Sequence, residues 1–328
     1  MPSGEDRLIQ RFFRPLARDP AALDLADDAA VIAPPAGADL VLTTDGVIEG
    51  VHFFPDDPAD TVARKALRAN LSDLSAKGAA PLGFLLSLAL SGKADEKWLA
   101  SFAEGLGADA KTYRCPLLGG DTDRTPGLLS VSITAFGSLP HGTMVKRSGA
   151  RAGDRIVVTG TIGDATLGLA LRREPARAER VGLSPQERAH LRGRYLLPEP
   201  RIALASALRA HASAAIDISD GLAGDLMKLA AASGVSARIE TKRLPLSPAA
   251  QKMVAVEPAL LETVLTGGDD YEILAAVPAA ALEVLQRAAM AAGVALREIG
   301  GAAAGAGIEI VGADGQAIEL SHPSFSHF

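Results

Sequence analysis

The run DPADTVARKALRANLSDLSAKG, residues 57–78, followed almost at once by LGFLLSLAL, residues 82–90, decides how the rest of the chain is read. Asp57 is placed to cap a helix, Pro58 suits the first turn and Gly78 ends it, so a helix is expected over 58–77. The second run is too short to cross a membrane and apolar throughout, which reads as a buried strand. A helix feeding a buried strand is the unit of an α/β sheet, and the same alternation recurs on both sides. Strands are expected at 38–43, 128–136, 155–159, 214–218 and 271–277. Helices are expected at 96–113, 164–173, 200–212, 222–233 and 279–292. The segment 137–153 is rich in Gly, Pro and basic residues and reads as a passage between domains.

At 328 residues the chain exceeds one ordinary core and suits two domains of roughly 100 to 200 residues each. We place them at 1–140 and 141–328. The fold class expected is α/β (α+β): two domains, each a mixed sheet covered by helices on one face. Hydrophobic residues make up 48%, charged residues 22% and aromatic residues 4%, a globular composition built on Ala, Leu and Val. A formal net charge of −6 argues against a nucleic-acid binder, which needs a basic face. Cys115 is the only cysteine, so neither an internal disulfide nor a cysteine-based zinc site is available. The first twenty residues carry Arg7, Arg11, Arg14 and Arg18 without the apolar stretch of a signal peptide, and no segment is long enough to span a membrane. A cytoplasmic protein is expected.

Acids stand repeatedly beside glycine, serine or threonine: Asp27-Asp28, Thr43-Thr44-Asp45, Ser72-Asp73, Gly119-Gly120-Asp121, Asp217-Ile218-Ser219-Asp220 and Gly267-Gly268-Asp269-Asp270. Carboxylates that gather repel one another and lose hydration, and hard cations such as Mg²⁺ with a phosphate make such a gathering tolerable. Each segment also has an ordinary structural reading. Asp73 lies in the last turns of its helix, where the dipole disfavours an acid by roughly 0.3–1 kcal/mol; Lys77 one turn on could offset it, as could a metal with Asn70 as a further donor. Thr43-Thr44-Asp45 reads as a strand end offering oxygen ligands, or as a turn before Gly46. Gly119-Gly120-Asp121 reads as a loop whose N–H groups approach phosphate, or as a hairpin turn. Asp220 reads as a metal ligand or as the cap of the helix that follows. His52 and Arg147 could each meet a phosphate or be solvated. The usual nucleotide signatures, Gly-x-x-x-x-Gly-Lys-Ser/Thr, Gly-x-Gly-x-x-Gly and the protein-kinase set, are missing.

Taken together, the segments LADDAAV (25–31), TTDGVIEGVHF (43–53), KALRANLSDL (65–74), LGGDT (118–122), RSGARAGD (147–154), VTGTIGD (158–164), IDISDGL (216–222) and TGGDDYE (266–272) resemble the thiamine-monophosphate kinase family, within the superfamily of aminoimidazole ribonucleotide synthetase. The match runs nearly the length of the chain in the family's order. It implies an aminoimidazole ribonucleotide synthetase-like fold, a homodimer, ATP as co-substrate, thiamine phosphate as acceptor and several Mg²⁺ ions. By the family's pattern, Asp28, Thr43, Thr44, Asp45, Asp73, Asp121, Asp217 and Asp220 would hold Mg²⁺. Gly120, Arg147 and Ser219 would touch ATP, and His52, Asp269 and His322 would face the thiamine phosphate. The chain departs from the pattern at Ala26 in place of Gly, at Asp269 in place of Glu, and at His322, which stands where the family has an aromatic residue. The alternatives are another ATP-dependent enzyme of the superfamily and a non-catalytic Mg²⁺-nucleotide-binding protein. Cys115 is misplaced for the members that work through a cysteine.

Overall fold

The computed structural model describes residues 4–92, 94–322 and 324, which divide into two compact units. One comprises the residues up to 142 apart from 75–78, and those four residues group with 143 onward in the other.

In the first unit, a short helix α1 (Gly4–Leu8) precedes β1 (Ala38–Ile48), α2 (Ala59–Lys77), β2 (Ala80–Leu90), α3 (Glu96–Thr112), β3 (Leu117–Arg124) and β4 (Ser130–Pro140). The sheet order is β1-β4-β2-β3, antiparallel except for the β2–β3 pair. Strand alternation sorts the side chains. Val41, Val47, Phe84, Leu86, Leu88, Val131 and Ile133 are buried, as are Leu67, Leu71, Leu74, Phe102 and Leu106 of the helices. Gly137 in β4 shows how closely helix and sheet meet, because a Cβ there would lie 3.0 Å from Leu74 of α2. The opposite face presents Leu40 and Leu42, both exposed.

Two acid-bearing segments are strands here, not turns. β1 runs unbroken through Thr43-Thr44-Asp45 because β4 pairs with it residue for residue down to Ser130. Gly119-Gly120-Asp121 lies inside β3, parallel to β2. Gly120 (φ 150°) is forced to be glycine: a Cβ would stand 1.8 Å from the Leu86 carbonyl oxygen.

The second unit contains β5 (Arg155–Thr159), α4 (Asp164–Arg173), α5 (Arg177–Val181), α6 (Pro185–Leu196), α7 (Ala205–His211), β6 (Ala214–Asp217), α8 (Leu222–Ser233), β7 (Val235–Glu240), α9 (Pro248–Val256), α10 (Leu260–Thr266), β8 (Ile273–Val277), α11 (Leu282–Ala291), β9 (Leu296–Ala304) and β10 (Ile308–Val311). Its sheet order is β10-β7-β9-β5-β8-β6, parallel only at β10–β7. Here the expected one-sided covering is corrected, since helices occupy both faces. Ile156, Val158, Ile216 and Leu274 join a core with Leu167, Leu191, Leu226 and Met253. Val157, Ala215, Ile273 and Ala275 join another with Leu204, Leu208, Leu285 and Ala289. Strands written RIVVT and ILAAV carry no polar alternation, which is the pattern of burial on two sides.

Candidate active site

In the first unit an open cleft of about 830 Å³ is lined by Asp27, Asp28, Gly119, Gly120, Asp121 and Thr122 together with apolar sheet residues including Leu40, Leu42 and Phe136. Asp28 sits in a loop where its own N–H donates to Asp27 Oδ1 at 2.8 Å. Asp121 accepts from the Thr122 N–H at 2.8 Å and is exposed. Two segments ninety residues apart in sequence therefore place acids in one cleft.

A second meeting point lies between β1 and α2. The Thr43 hydroxyl donates to Asp73 Oδ2 in a short hydrogen bond, so two of the expected ligands touch. Asn70, fully buried, ties the two elements together: its Oδ1 accepts the Asp45 N–H at 3.1 Å and its Nδ2 donates to the Ala66 carbonyl. It is a peg between helix and strand. Lys77, the other expected neighbour of Asp73, donates to the Ala215 carbonyl at 2.8 Å. Because β1 is a continuous strand, Thr44 faces away from Thr43 and Asp45. Its hydroxyl donates to the Ile133 carbonyl and accepts from Thr134, each at 3.1 Å. His52 follows β1: its Nδ1 accepts the Ile48 N–H at 3.1 Å, and its carbonyl accepts from the buried ammonium of Lys65 at 2.9 Å.

In the second unit Asp217 closes β6, buried, and the 218–221 turn leads into α8. Gly221 (φ 112°) is the N-cap of α8 and no side chain caps it, so Asp220 does not have the capping role. The acid that organises this turn is Asp225, which the sequence reading missed. Its Oδ2 accepts the N–H groups of Ser219 and Asp220 at 3.1 and 3.0 Å. Burial raises the Asp225 carboxyl, while Lys228 and the Asp220 N–H pull it back. The i, i+3 spacing of Asp225 and Lys228 was the available signal.

The 267–272 segment packs on this turn main chain to main chain. The Asp269 N–H donates to the Ser219 carbonyl at 2.9 Å, the Tyr271 N–H to Ile218 at 2.8 Å, and the Ile218 N–H to Glu272 at 2.8 Å. A Cβ on Gly268 would stand 2.2 Å from the Ser219 oxygen, which explains that glycine. Asp269 (φ 73°) and Tyr271 (φ 49°) occupy the left-handed region that non-glycine residues rarely adopt.

Their neighbours hold the segment in place. Asp270 is buried and accepts the Gly163 N–H at 2.7 Å and the Ala165 N–H at 3.3 Å, capping α4 from a distance; burial pushes its carboxyl up to about 8. Glu272 is buried between Arg194 (2.8 Å) and Arg201 (2.7 Å to Nε), with the Thr159 hydroxyl at 2.6 Å. Arg147 is exposed, its carbonyl accepting from Ser233 at 3.1 Å. His322 is exposed and near Glu262, whose carboxyl is held low by the Ser321 hydroxyl and N–H.

Among the described residues no three His, Cys, Asp or Glu side chains converge as a metal cage. The expected acids come as pairs and neighbours within each unit.

The family described as "AIR synthase related protein, N-terminal domain" matches residues 26–139, and its C-terminal counterpart matches 151–312. Thiamine-monophosphate kinase of Caulobacter vibrioides is 46% identical over 304 residues, covering 92% of this chain and 84% of that protein. This chain belongs to the thiamine-monophosphate kinase family. The Salmonella typhimurium thiamine-monophosphate kinase is 44% identical over 85% of this chain and 84% of its own length. Among solved structures of the family, that of thiamine-monophosphate kinase from Stenotrophomonas maltophilia superposes with a TM-score of 0.83 at 38% identity, over 95% of this chain and 96% of that one. A structure described as AaThiL complexed with AMPPCP and TMP superposes with a TM-score of 0.77 at 30% identity, over 90% and 89%. The aminoimidazole ribonucleotide synthetase-like fold expected from the motifs is thereby borne out.

Proposed function

We propose that this chain transfers the γ-phosphate of ATP to thiamine phosphate, giving thiamine diphosphate and ADP. The observation that carries the reading is the ladder between the 217–220 turn and the 267–272 segment: main-chain bonds of 2.8–2.9 Å fix the turn assigned to nucleotide and metal against the segment assigned to the acceptor. Family membership supports it along both domains, with 1–140 carrying the cleft acids and 141–328 completing the nucleotide and acceptor sites.

In this mechanism an acceptor phosphate oxygen, already anionic near pH 7, forms the new bond to γ-phosphorus as the bond to the ADP oxygen breaks, in line and without a phosphoenzyme. No side chain need act as a base. Gly120, Arg147 and Ser219 orient ATP. His52, Asp269 and His322 orient thiamine phosphate, with Asp269 preset by its left-handed backbone.

The donors fit Mg²⁺, since they are hard oxygens and one of them, Asp220, is already seated on a cationic ammonium. Asp28, Thr43, Asp45, Asp73, Asp121, Asp217 and Asp220 would hold the ions, with Thr44 contributing through its main chain. When bound, Mg²⁺ supplies cancellation of the repulsion between the two phosphates.

The apolar strand face with Leu40 and Leu42 supports a homodimer in which a second copy covers it. No helix of the described residues is long and apolar enough to cross a membrane, and a cytoplasmic location fits the small charged substrates. The test is direct. Purified chain with ATP, Mg²⁺ and thiamine phosphate is expected to form thiamine diphosphate and ADP in equal amounts; ATP binding without product would sink the reading.

A further inference from the structure

Lys228 occupies an unusual place for a helix lysine. Its ammonium reaches back along α8 to donate to Asp225 Oδ1 at 2.8 Å and to Asp220 Oδ2 at 2.5 Å, with its side chain 37% exposed. Asp225 is fully buried and spends its other oxygen on the Ser219 and Asp220 N–H groups. A buried carboxylate requires a counter-charge, and one ammonium satisfies one carboxylate. Asp220 is therefore the surplus acid: the three side chains sum to one negative charge, and the cation that Asp220 touches is shared.

Resting on the reading of Asp220 as a Mg²⁺ ligand, we infer that Lys228 is the internal competitor of Mg²⁺ for Asp220, holding that carboxylate in the metal-free chain and setting the Mg²⁺ concentration at which it is released. Asp225 makes the exchange feasible, because Lys228 keeps a full counter-charge after Asp220 leaves and need not itself unfold from the turn. The ammonium opposes Mg²⁺ twice, by occupying the carboxylate and by like-charge repulsion. Lys228 is thus a positioning residue, tuned for metal demand and not for chemistry.

The experiment titrates Mg²⁺ into the full chain holding a non-hydrolysable ATP analogue and reads the midpoint from the shift in thermal unfolding. Lys228→Gln keeps a donor for Asp225 but removes the charge, and is expected to lower the Mg²⁺ midpoint by at least about threefold. Lys228→Arg is expected to stay near wild type. In an Asp220→Asn background the Gln substitution is expected to lower the midpoint by clearly less than in the wild-type background, because only the like-charge part is left to remove; an equal shift in both backgrounds would overturn the direct exchange.

An unchanged or higher midpoint for Lys228→Gln would overturn the inference. Undiminished Mg²⁺ binding in Asp220→Asn alone would instead remove the ligand reading on which it rests, a separate and recognisable failure. The wild-type chain supplies a check free of folding risk: acetylation of Lys228, followed by mass spectrometry, is expected to speed up as Mg²⁺ is added. A rate that stays constant or falls would count equally against the exchange.

Discussion

The cleft acids of the first unit and the buried acids of the second are alike in sequence and unlike in circumstance. Asp28 and Asp121 border an open cleft and are exposed; the Asp28 N–H donates to Asp27 Oδ1, and Asp121 Oδ1 accepts the Thr122 N–H. Asp164, Asp225, Asp270 and Glu272 are buried, and each is enclosed by donors. Asp164, for example, accepts from Ser247 at 2.5 Å, Thr161 at 2.5 Å and His190 at 2.8 Å. A Gly-Gly-Asp or Ser-Asp step thus describes a main-chain geometry, and burial decides whether its acid braces the fold or is left available for a ligand.

Breaking the buried side should cost the most. Glu272→Ala leaves Arg194 and Arg201 facing each other with only the half-exposed Glu199 to share, and about 3–5 kcal/mol of stability is expected to disappear in urea unfolding. A loss below about 1 kcal/mol would mean that the network is not bracing the 267–272 segment.

On the open side the expectation is reversed. Asp121→Asn should lower kcat by about a hundredfold or more, roughly 3 kcal/mol of transition-state stabilisation, while its unfolding midpoint stays within the range of a surface substitution, about 0.5 kcal/mol. Near-normal turnover would reduce Asp121 to a partner of the Thr122 N–H.

Asp270 sharpens the comparison through pH. Burial pushes its carboxyl up to about 8, against the pull of the Gly163 and Ala165 N–H groups and Arg194. The folded chain therefore keeps a proton that the unfolded chain releases near the ordinary carboxylate value, so this residue's contribution to stability declines as pH rises from about 4 to about 8. Asp270→Asn carries no such proton. Relative to wild type it should gain stability between pH 6 and 7, by no more than about 1.4 kcal/mol per unit, read from paired thermal melts. A constant difference across that range would show the carboxyl to be ionised in the fold.

The smallest effect concerns Cys115. Its thiol is buried and pushed up to about 12, so the native chain should resist iodoacetamide at neutral pH and react only after denaturation.

The helix over 58–77 and the strand beside it were legible because their periodicity and punctuation agree, and the structure places α2 at Ala59–Lys77 and β2 at Ala80–Leu90. β3 was not legible. Leu-Leu-Gly-Gly-Asp-Thr-Asp-Arg has the composition of a turn, and only the partner strand β2, remote in sequence, makes it extended. β9 hid for a related reason: Gly300 sits inside it because a Cβ would lie 1.9 Å from the Arg238 carbonyl oxygen, so close packing imposes a residue that reads as a breaker. At the site, Asp220 was visible as an acid worth watching, whereas the acid that shapes its turn, Asp225, looked like an ordinary member of a helix face. The distinction depends on which side of α8 is buried, a tertiary fact.

Gly120 and Gly268 share a property with a practical meaning for anyone altering this enzyme. At both, main chain presses on main chain with no side chain as a spacer, 1.8 Å and 2.2 Å from where a Cβ would stand. The carboxylates that follow them are consequently anchored through the main chain. Core redesign that spares the Asp270 and Glu272 networks should leave Asp121 and Asp269 where they are, while a single methyl group at either glycine should displace them.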